Sequence, residues 1–236
     1  MTRIVSQVIF FSTHEVKSNS ANYPLWLSQC QYRHQIIFFH GLGESGNNWS
    51  NLFTEIRKPH TKIICPSASK IPLDLNKGYA IPAWFNIASL DESSIEDESA
   101  ILRAVDKVHD LLDDELSKTR IPSKKILIGG FSQGGALALY AALTYHKPLA
   151  GILLMSTWIP LHRSFPDAAT NNQKTPILQC HGTDDPVIPY RWGQKTSVIL
   201  NDFVSNIEFI TYEGLQHRVN KQELEDIKTF IHKVLP

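Results

Sequence analysis

The sequence predicts an α/β fold, with a mostly parallel central sheet, helices on both faces and no large cap, forming a single domain over 1–236. Three observations predict it. Six short, near-continuous apolar runs recur along the chain, and helical patterns lie between them. One junction, "LIGGFSQGGALALY" (127–140), sets four glycines around a serine where one run ends and the next begins. Runs of this length suit strands covered on both faces of a parallel sheet. Their alternation with helices is the pattern of a two-sided α/β layer structure.

In chain order, "QIIFFH" (35–40) and "TKIIC" (61–65) are the first two strands. A long helix follows in "SSIEDESAILRAVDKVHDLLDDEL", where Ile101, Val105, Val108 and Leu112 share one face. Ser93 with Glu96 supplies a capping box at its start. "KKILIGG" (124–130) is the third strand, and "GGALALYAALTYH" is a short helix apolar enough to be buried. "AGILLMS" (150–156), "PILQC" (176–180) and "IEFITY" (207–212) are the remaining strands. "NKQELEDIKTFIHKVL" closes the chain as a helix capped by Asn220, with Leu224, Ile227, Ile231 and Val234 inward. Segment 1–33 fits the alternation least and is expected to supply edge or antiparallel strands and loop.

Composition narrows the function. Lysine plus arginine equals aspartate plus glutamate, at 23 each in 236 residues, which argues against broad binding to nucleic acid or anionic membrane. Three cysteines, Cys30, Cys65 and Cys180, make no disulfide framework and fit a reducing compartment. The start, "MTRIVSQVIFFSTHE", has a short apolar stretch broken by Ser6 and Gln7 and reads as no signal peptide. No run approaches the ~18 apolar residues of a membrane helix. The expected location is cytoplasmic.

The glycine-crowded junction explains itself as chemistry. Gly130-Phe131-Ser132-Gln133-Gly134 is a G-x-S-x-G nucleophile elbow between a strand and a helix. The turn is so tight that side chains two residues either side of the serine would collide, and glycine removes them. A phosphate-binding loop would need Lys-Ser/Thr after its last glycine, and here Ala136-Leu137 follows.

A serine hydroxyl needs a base, and the base needs a carboxylate. In folds with this elbow the chain order is serine, acid, histidine, on loops after successive strands. "PILQCHGTDDPVIP" supplies Asp184 and Asp185, and "IEFITYEGLQHRVN" supplies His217. Order alone does not separate the two aspartates. Asp185 precedes Pro186, whose ring confines the residue before it to extended backbone and so restricts its carboxylate. The oxyanion-hole amides are expected from Gln133, after the serine, and from Leu42 in "IIFFHGLGESGNNW". His40 reads as a structural hydrogen-bonder.

Together, "FFHGLGESGNNW", "IPAWFNI", "EDES", "KKILIGGFSQGGALALY", "STWIPL", "ILQCHGTDDPVIP" and "TYEGLQH" resemble the cytosolic acyl-protein thioesterases of the lysophospholipase/carboxylesterase family. The likeness runs from about Ile36 to the C-terminus. It implies the α/β-hydrolase fold, with Ser132 as nucleophile, Asp185 as acid, His217 as base, and Leu42 and Gln133 as oxyanion donors. It implies removal of long acyl chains from cysteine thioesters of proteins, with lysophospholipids and simple esters as further substrates. Two positions depart from the family pattern: Asn86 stands where aspartate is usual, and Glu44-Ser45 where Asp-Thr is usual. The N-terminal lipidation cysteine of some relatives is missing.

An acyl thioesterase needs an apolar groove beside the serine. Leu73, Leu75, Ile81, Pro82 and Trp84 in "KIPLDLNKGYAIPAWF", Trp158, Ile159 and Pro160 in "STWIPL", and Ile188 after the acid are its expected lining. No metal or other cofactor is expected. The expected partners are an S-acylated protein or a lysophospholipid, with only transient contact with a membrane surface and none with nucleic acid. The alternatives are a general carboxylesterase or lysophospholipase, and a pseudo-hydrolase that binds a lipid without turnover.

Overall fold

The computed structural model describes residues 32–91 and 95–236. Segment 1–31, with its expected edge strands, and Ser93, the expected cap, lie outside the described residues. The six strands are β1 (His34–Phe39), β2 (Thr61–Ile64), β5 (Ile126–Phe131), β6 (Gly151–Met155), β7 (Ile177–Gly182) and β8 (Ile207–Tyr212). They form one sheet in the order β2-β1-β5-β6-β7-β8, with every pairing parallel.

Alternate residues of each strand feed two cores. Ile37, Phe39, Ile126, Ile128, Ile152 and Leu154 face α2 (Glu98–Thr119), α3 (Gln133–Thr144) and α4 (Tyr190–Asn201). Ile36, Phe38, Leu127, Leu153, Met155 and Cys180 face α1 (Gly46–Ile56) and α5 (Lys221–Val234). The central strands are covered on both sides, so their sequences are nearly continuous apolar runs. β8, at the edge, is only partly buried and keeps polar residues at Glu208 and Thr211.

Packing rather than surface charge holds α2. Ile101, Val105, Val108 and Leu112 are all buried, each at about 1.5–3 kcal/mol. The exposed Lys118–Asp114 pair on the outer face is worth only ~0.3–0.5 kcal/mol. The cap is Asp97, whose carboxylate accepts the Ala100 amide at 3.0 Å. Glu96 turns instead to the other side of the site. At the C-terminal helix Asn220 caps as expected, its Oδ1 accepting the Glu223 amide. Ile227 and Ile231 are buried there, whereas Leu224 and Val234 are only half-buried.

Three elements were not read from the sequence. α1 begins Gly-Asn-Asn and has no side-chain cap, so its signal is confined to Trp49, Phe53 and Ile56. α4 carries Gly193 in its middle and turns Thr196 and Ser197 inward, which hides the helical period. A hairpin of β3 (Lys70–Pro72) and β4 (Ala80–Pro82) is too short to carry an alternation. It is tied to the loop after β1, where Gly43 donates its amide to the Pro82 carbonyl, and among the described residues no large cap covers the sheet's carboxyl edge.

Candidate active site

Ser132 sits between β5 and α3 with φ +53° and ψ −123°, a conformation that costs a side-chain-bearing residue ~1–3 kcal/mol. Its surroundings hold it there. Its amide donates to the Met155 carbonyl at 2.9 Å, and its carbonyl accepts from the Gly135 and Ala136 amides and from Thr157 Oγ1 at 2.7 Å. A Cβ on Gly130 would lie 2.3 Å from the Gly134 carbonyl carbon and oxygen. One on Gly134 would lie 2.2 Å from the Phe39 carbonyl oxygen. Both obstacles are backbone, so neither glycine has an alternative.

Asp185 and His217 meet across the ends of β7 and β8. His217 Nδ1 donates to Asp185 Oδ2 at 2.7 Å. A carboxylate only accepts, so the neutral ring carries its proton on Nδ1 and leaves Nε2 as an acceptor. Asp185 Oδ1 accepts the Val187 and Ile188 amides at 2.9 and 2.8 Å. Burial pushes this carboxyl upward, but the hydrogen bond and charge of His217 and those two amides outweigh it, and the group is held below the usual carboxylate range. The imidazole of His217 packs 4.5 Å from the ring of Phe131, the residue before Ser132.

The two loops are tied to each other. Thr183 donates its amide to the Tyr212 carbonyl, Asp184 donates its amide to the Leu215 carbonyl, and Gly214 donates its amide to Thr183 Oγ1 at 2.8 Å. Gly182 lets them approach, since a Cβ there would lie 2.0 Å from the Leu215 carbonyl oxygen. Asp184 is exposed, and its carboxylate accepts the Thr183 hydroxyl. Burial and hydrogen bonding therefore separate the adjacent aspartates, which the sequence order did not.

The "HGLGE" loop runs beside the serine, where a Cβ on Gly41 would come within 3.4 Å of the Ser132 Cβ. Of its amides, Gly41 donates to Glu44 Oε2, Gly43 to the Pro82 carbonyl, and Glu44 to the Gly41 carbonyl. Only the Leu42 amide of these four has no partner among the described residues. The Gln133 amide opens helix α3, where the first N–H groups have no intrahelical acceptor. The Gln133 side chain clamps the far wall, accepting the Trp84 amide and donating to the Phe85 carbonyl. His40 is fully buried and spans the loop, with Nδ1 on the Gly41 carbonyl and Nε2 accepting the Ala68 amide. Burial holds it below the ordinary histidine range, so it is a neutral structural group.

The two departures from the family pattern have local partners. Glu44 Oε2 accepts both the Gly41 amide and the Trp49 indole N–H. Asn86 donates to Asp74 Oδ2 at 2.6 Å and accepts the Asp74 amide, a pairing that a second carboxylate would turn into repulsion.

A cavity of about 380 Å³ lies beyond the Gln133 clamp: Ser132, Asp185 and His217 do not line it, and it is joined to them through Phe85, whose carbonyl Gln133 holds, and Trp158, the neighbour of Thr157. Phe85, Ile87 and Leu90 form one wall, Trp158 and Ile159 a second, and Trp192 and Ile199 of α4 a third. Of the nine expected lining residues, the structure brings Trp158 and Ile159 to it, and Ile81 and Pro82 lie in β4. Leu73 is fully buried in the core, Pro160 is buried, and Leu75 lies exposed on the loop after β3. Trp84 packs against Phe39 and His40 and donates its indole N–H to the His40 carbonyl. Ile188 is buried behind Asp185. The sequence reading chose apolar residues by position in a loop, and a loop residue packs inward as readily as into a cleft. It missed Thr157, whose hydroxyl holds the Ser132 carbonyl, and Glu96, whose carboxylate accepts the Leu161 amide at 2.7 Å and the Trp158 indole N–H. Among the described residues no three histidine, cysteine or acidic side chains converge on a point that could hold a metal.

Comparison with known proteins is consistent across sequence and structure. Residues 28–235 match the model of the phospholipase/carboxylesterase family. The chain is 37% identical over 220 residues to acyl-protein thioesterase 1 of Mycosarcoma maydis, covering 85% of this chain and 91% of that protein. Among solved structures it is similar to Arabidopsis thaliana SOBER1, with TM-score 0.81 and 33% identity over 86% of this chain and all of that one. It is also similar to Zea mays acyl-protein thioesterase 2, with TM-score 0.79 and 30% identity over 87% of this chain and 95% of that one.

Proposed function

Because the chain belongs to the phospholipase/carboxylesterase family, we propose that it is a serine hydrolase that removes long acyl chains from cysteine thioesters of proteins, and that it also hydrolyses lysophospholipids and simple esters. The fold is that of an α/β hydrolase. The observation that carries the reading is the 2.7 Å Asp185–His217 bond beside a serine held at positive φ. In this reading Ser132 Oγ attacks the acyl carbonyl while His217 Nε2 takes its proton. Asp185 fixes the ring tautomer and stabilises the imidazolium. The amides of Leu42 and Gln133 receive the oxyanion. The sulfur departs readily as a thiolate, because a thiol has a pKa near ~8.5, and the His217 imidazolium then gives up its proton to that sulfur or to solvent and is neutral again. Water, deprotonated by His217, then releases the fatty acid.

The acyl chain lies in the cavity walled by Phe85, Ile87, Trp158 and Trp192, whose volume of about 380 Å³ falls in the range of small-molecule sites. Ala88 lines it from an exposed position, so a larger side chain there fills the cavity without disturbing the core. Ala88→Trp is expected to keep turnover of an acetyl ester within about threefold and to lose tenfold or more on a palmitoyl thioester. Equal effects on both substrates in kcat/KM would remove the acyl chain from this cavity.

The substrates are met in the cytoplasm, through transient contact with membrane surfaces. Among the described residues no helix is long and apolar enough to cross a membrane. The test is labelling by a fluorophosphonate probe, mapped by mass spectrometry to Ser132, followed by turnover of a palmitoyl-cysteine peptide and of lysophosphatidylcholine. Labelling with faster turnover of the peptide supports the thioesterase. Labelling with the reverse preference makes the protein a lysophospholipase. No labelling and no turnover would leave a lipid-binding pseudo-hydrolase.

A further inference from the structure

A second histidine stands behind the acid. His181, on β7, is fully buried, and its Nε2 lies 2.8 Å from the Ile188 carbonyl oxygen and 3.6 Å from Asp185 Oδ2. The carbonyl only accepts, so Nε2 carries the proton. Nδ1 is then bare, and it has no hydrogen-bond partner among the described residues. It faces Gly193 of α4, where a Cβ would lie 2.4 Å from it, so the glycine that hides α4 in the sequence is there to make room for this ring. Burial holds the imidazole below the ordinary histidine range and keeps it neutral. A buried polar ring with one unpaired nitrogen carries a desolvation cost that an apolar side chain would avoid.

What the ring does is set by Ile188. That residue gives its amide to Asp185 Oδ1 at 2.8 Å and its carbonyl to His181 Nε2 at 2.8 Å. The carbonyl bond fixes the turn of 185–188, and the turn aims two amides at one carboxylate oxygen. The other oxygen is thereby left pointing at His217. We propose that His181 is a positioning residue for the acid: as a neutral Nε2–H tautomer it anchors the Asp185–Ile188 turn, so that Asp185 Oδ2 is held on His217 Nδ1. This rests on Asp185 being the acid of the proposed reaction.

Three variants test it. His181→Leu removes the donor, His181→Gln places an amide N–H at about the reach of Nε2, and His181→Asn carries one that is too short. Misplacing a catalytic group by about 1 Å costs up to ~10²-fold, so His181→Leu should lose about 10–100-fold in kcat with KM within about threefold. His181→Gln should recover to within about fivefold of the parent. The downfield proton resonance of the His217–Asp185 hydrogen bond should survive in His181→Gln and broaden or move in His181→Leu. A merely structural ring would not move that signal in a folded variant. If His181→Leu does not fold, the Gln and Asn variants decide: Gln active and Asn impaired supports the proposal, and equal activity overturns it. It is also overturned by His181→Leu with parental kcat, or by a Gln variant as impaired as Leu. Asp185→Asn measured alongside separates the two readings. If it too keeps parental turnover, Asp185 is not the acid. If it is crippled while His181→Leu is not, only the role of His181 falls.

Discussion

Ser132→Ala is expected to fold as the parent does and to lose at least ~10³-fold in kcat, because nucleophile and base act as a unit and the residual rate comes from binding and the oxyanion amides alone. The backbone argument makes this a clean experiment. The strain at φ +53° comes from the Cβ, and alanine keeps the Cβ. The bonds that hold the turn use the serine backbone and Thr157, not the serine hydroxyl. The melting temperature should therefore stay close to the parent's while turnover disappears. Parental turnover in a variant with an unchanged circular dichroism spectrum would take the nucleophile away from Ser132.

Asp185→Asn is expected to cost ~10³–10⁴-fold in kcat, while Asp184→Asn stays within about tenfold. The asymmetry follows from who binds each oxygen. Asp185 Oδ1 accepts two amides, so an asparagine there keeps its carbonyl oxygen on Val187 and Ile188 and turns its NH₂ group toward His217. His217 Nδ1 must then accept, the ring proton moves to Nε2, and the nitrogen that should take the serine proton is already protonated. At Asp184 the partner is the Thr183 hydroxyl, which donates to an amide oxygen as readily as to a carboxylate, in an exposed position. The measurement is kcat for both purified variants on one acyl thioester at fixed pH. A crippled Asp184→Asn beside an active Asp185→Asn would move the acid by one residue.

The sheet was legible because burial on both faces writes itself into every residue of a strand, as in Ile36–Phe39 and Ile152–Met155. The serine turn was legible for a related reason: backbone crowding admits only glycine at 130 and 134, and crowding of that kind leaves a mark in composition. What stayed hidden was packing whose signal is not periodic. Gly193 and Thr196 face inward on α4 because they meet His181 and the Ile159 amide, and buried Ser197 adds a third non-apolar position to that face. The lining of the cavity was legible only in part, at Trp158 and Ile159, for the converse reason. Leu73 and Ile188 are as apolar as Ile87 and Ile159, all four are buried, and only the folded chain decides which of them also border the cavity. The helix start at Asp97 was displaced because Glu96, a good capping-box residue by type, is engaged by Leu161 and Trp158 from across the cleft.

Among the described residues two tryptophans are bonded to the 40–44 loop and two stand on the cavity wall. Trp49 donates its indole N–H to Glu44, which in turn accepts the Gly41 amide, so it is one residue removed from the serine loop. Trp84 is bonded to His40, and Trp158 and Trp192 stand edge to face, 6.1 Å apart, on the cavity wall. The molecule thus carries its own optical reporter, with no dye or label to attach. An acyl chain entering the cavity displaces water from two indoles, and their emission should shift to the blue and saturate with chain concentration. In Ser132→Ala, where no turnover competes, that titration reads occupancy directly, and Ala88→Trp should abolish the saturable shift.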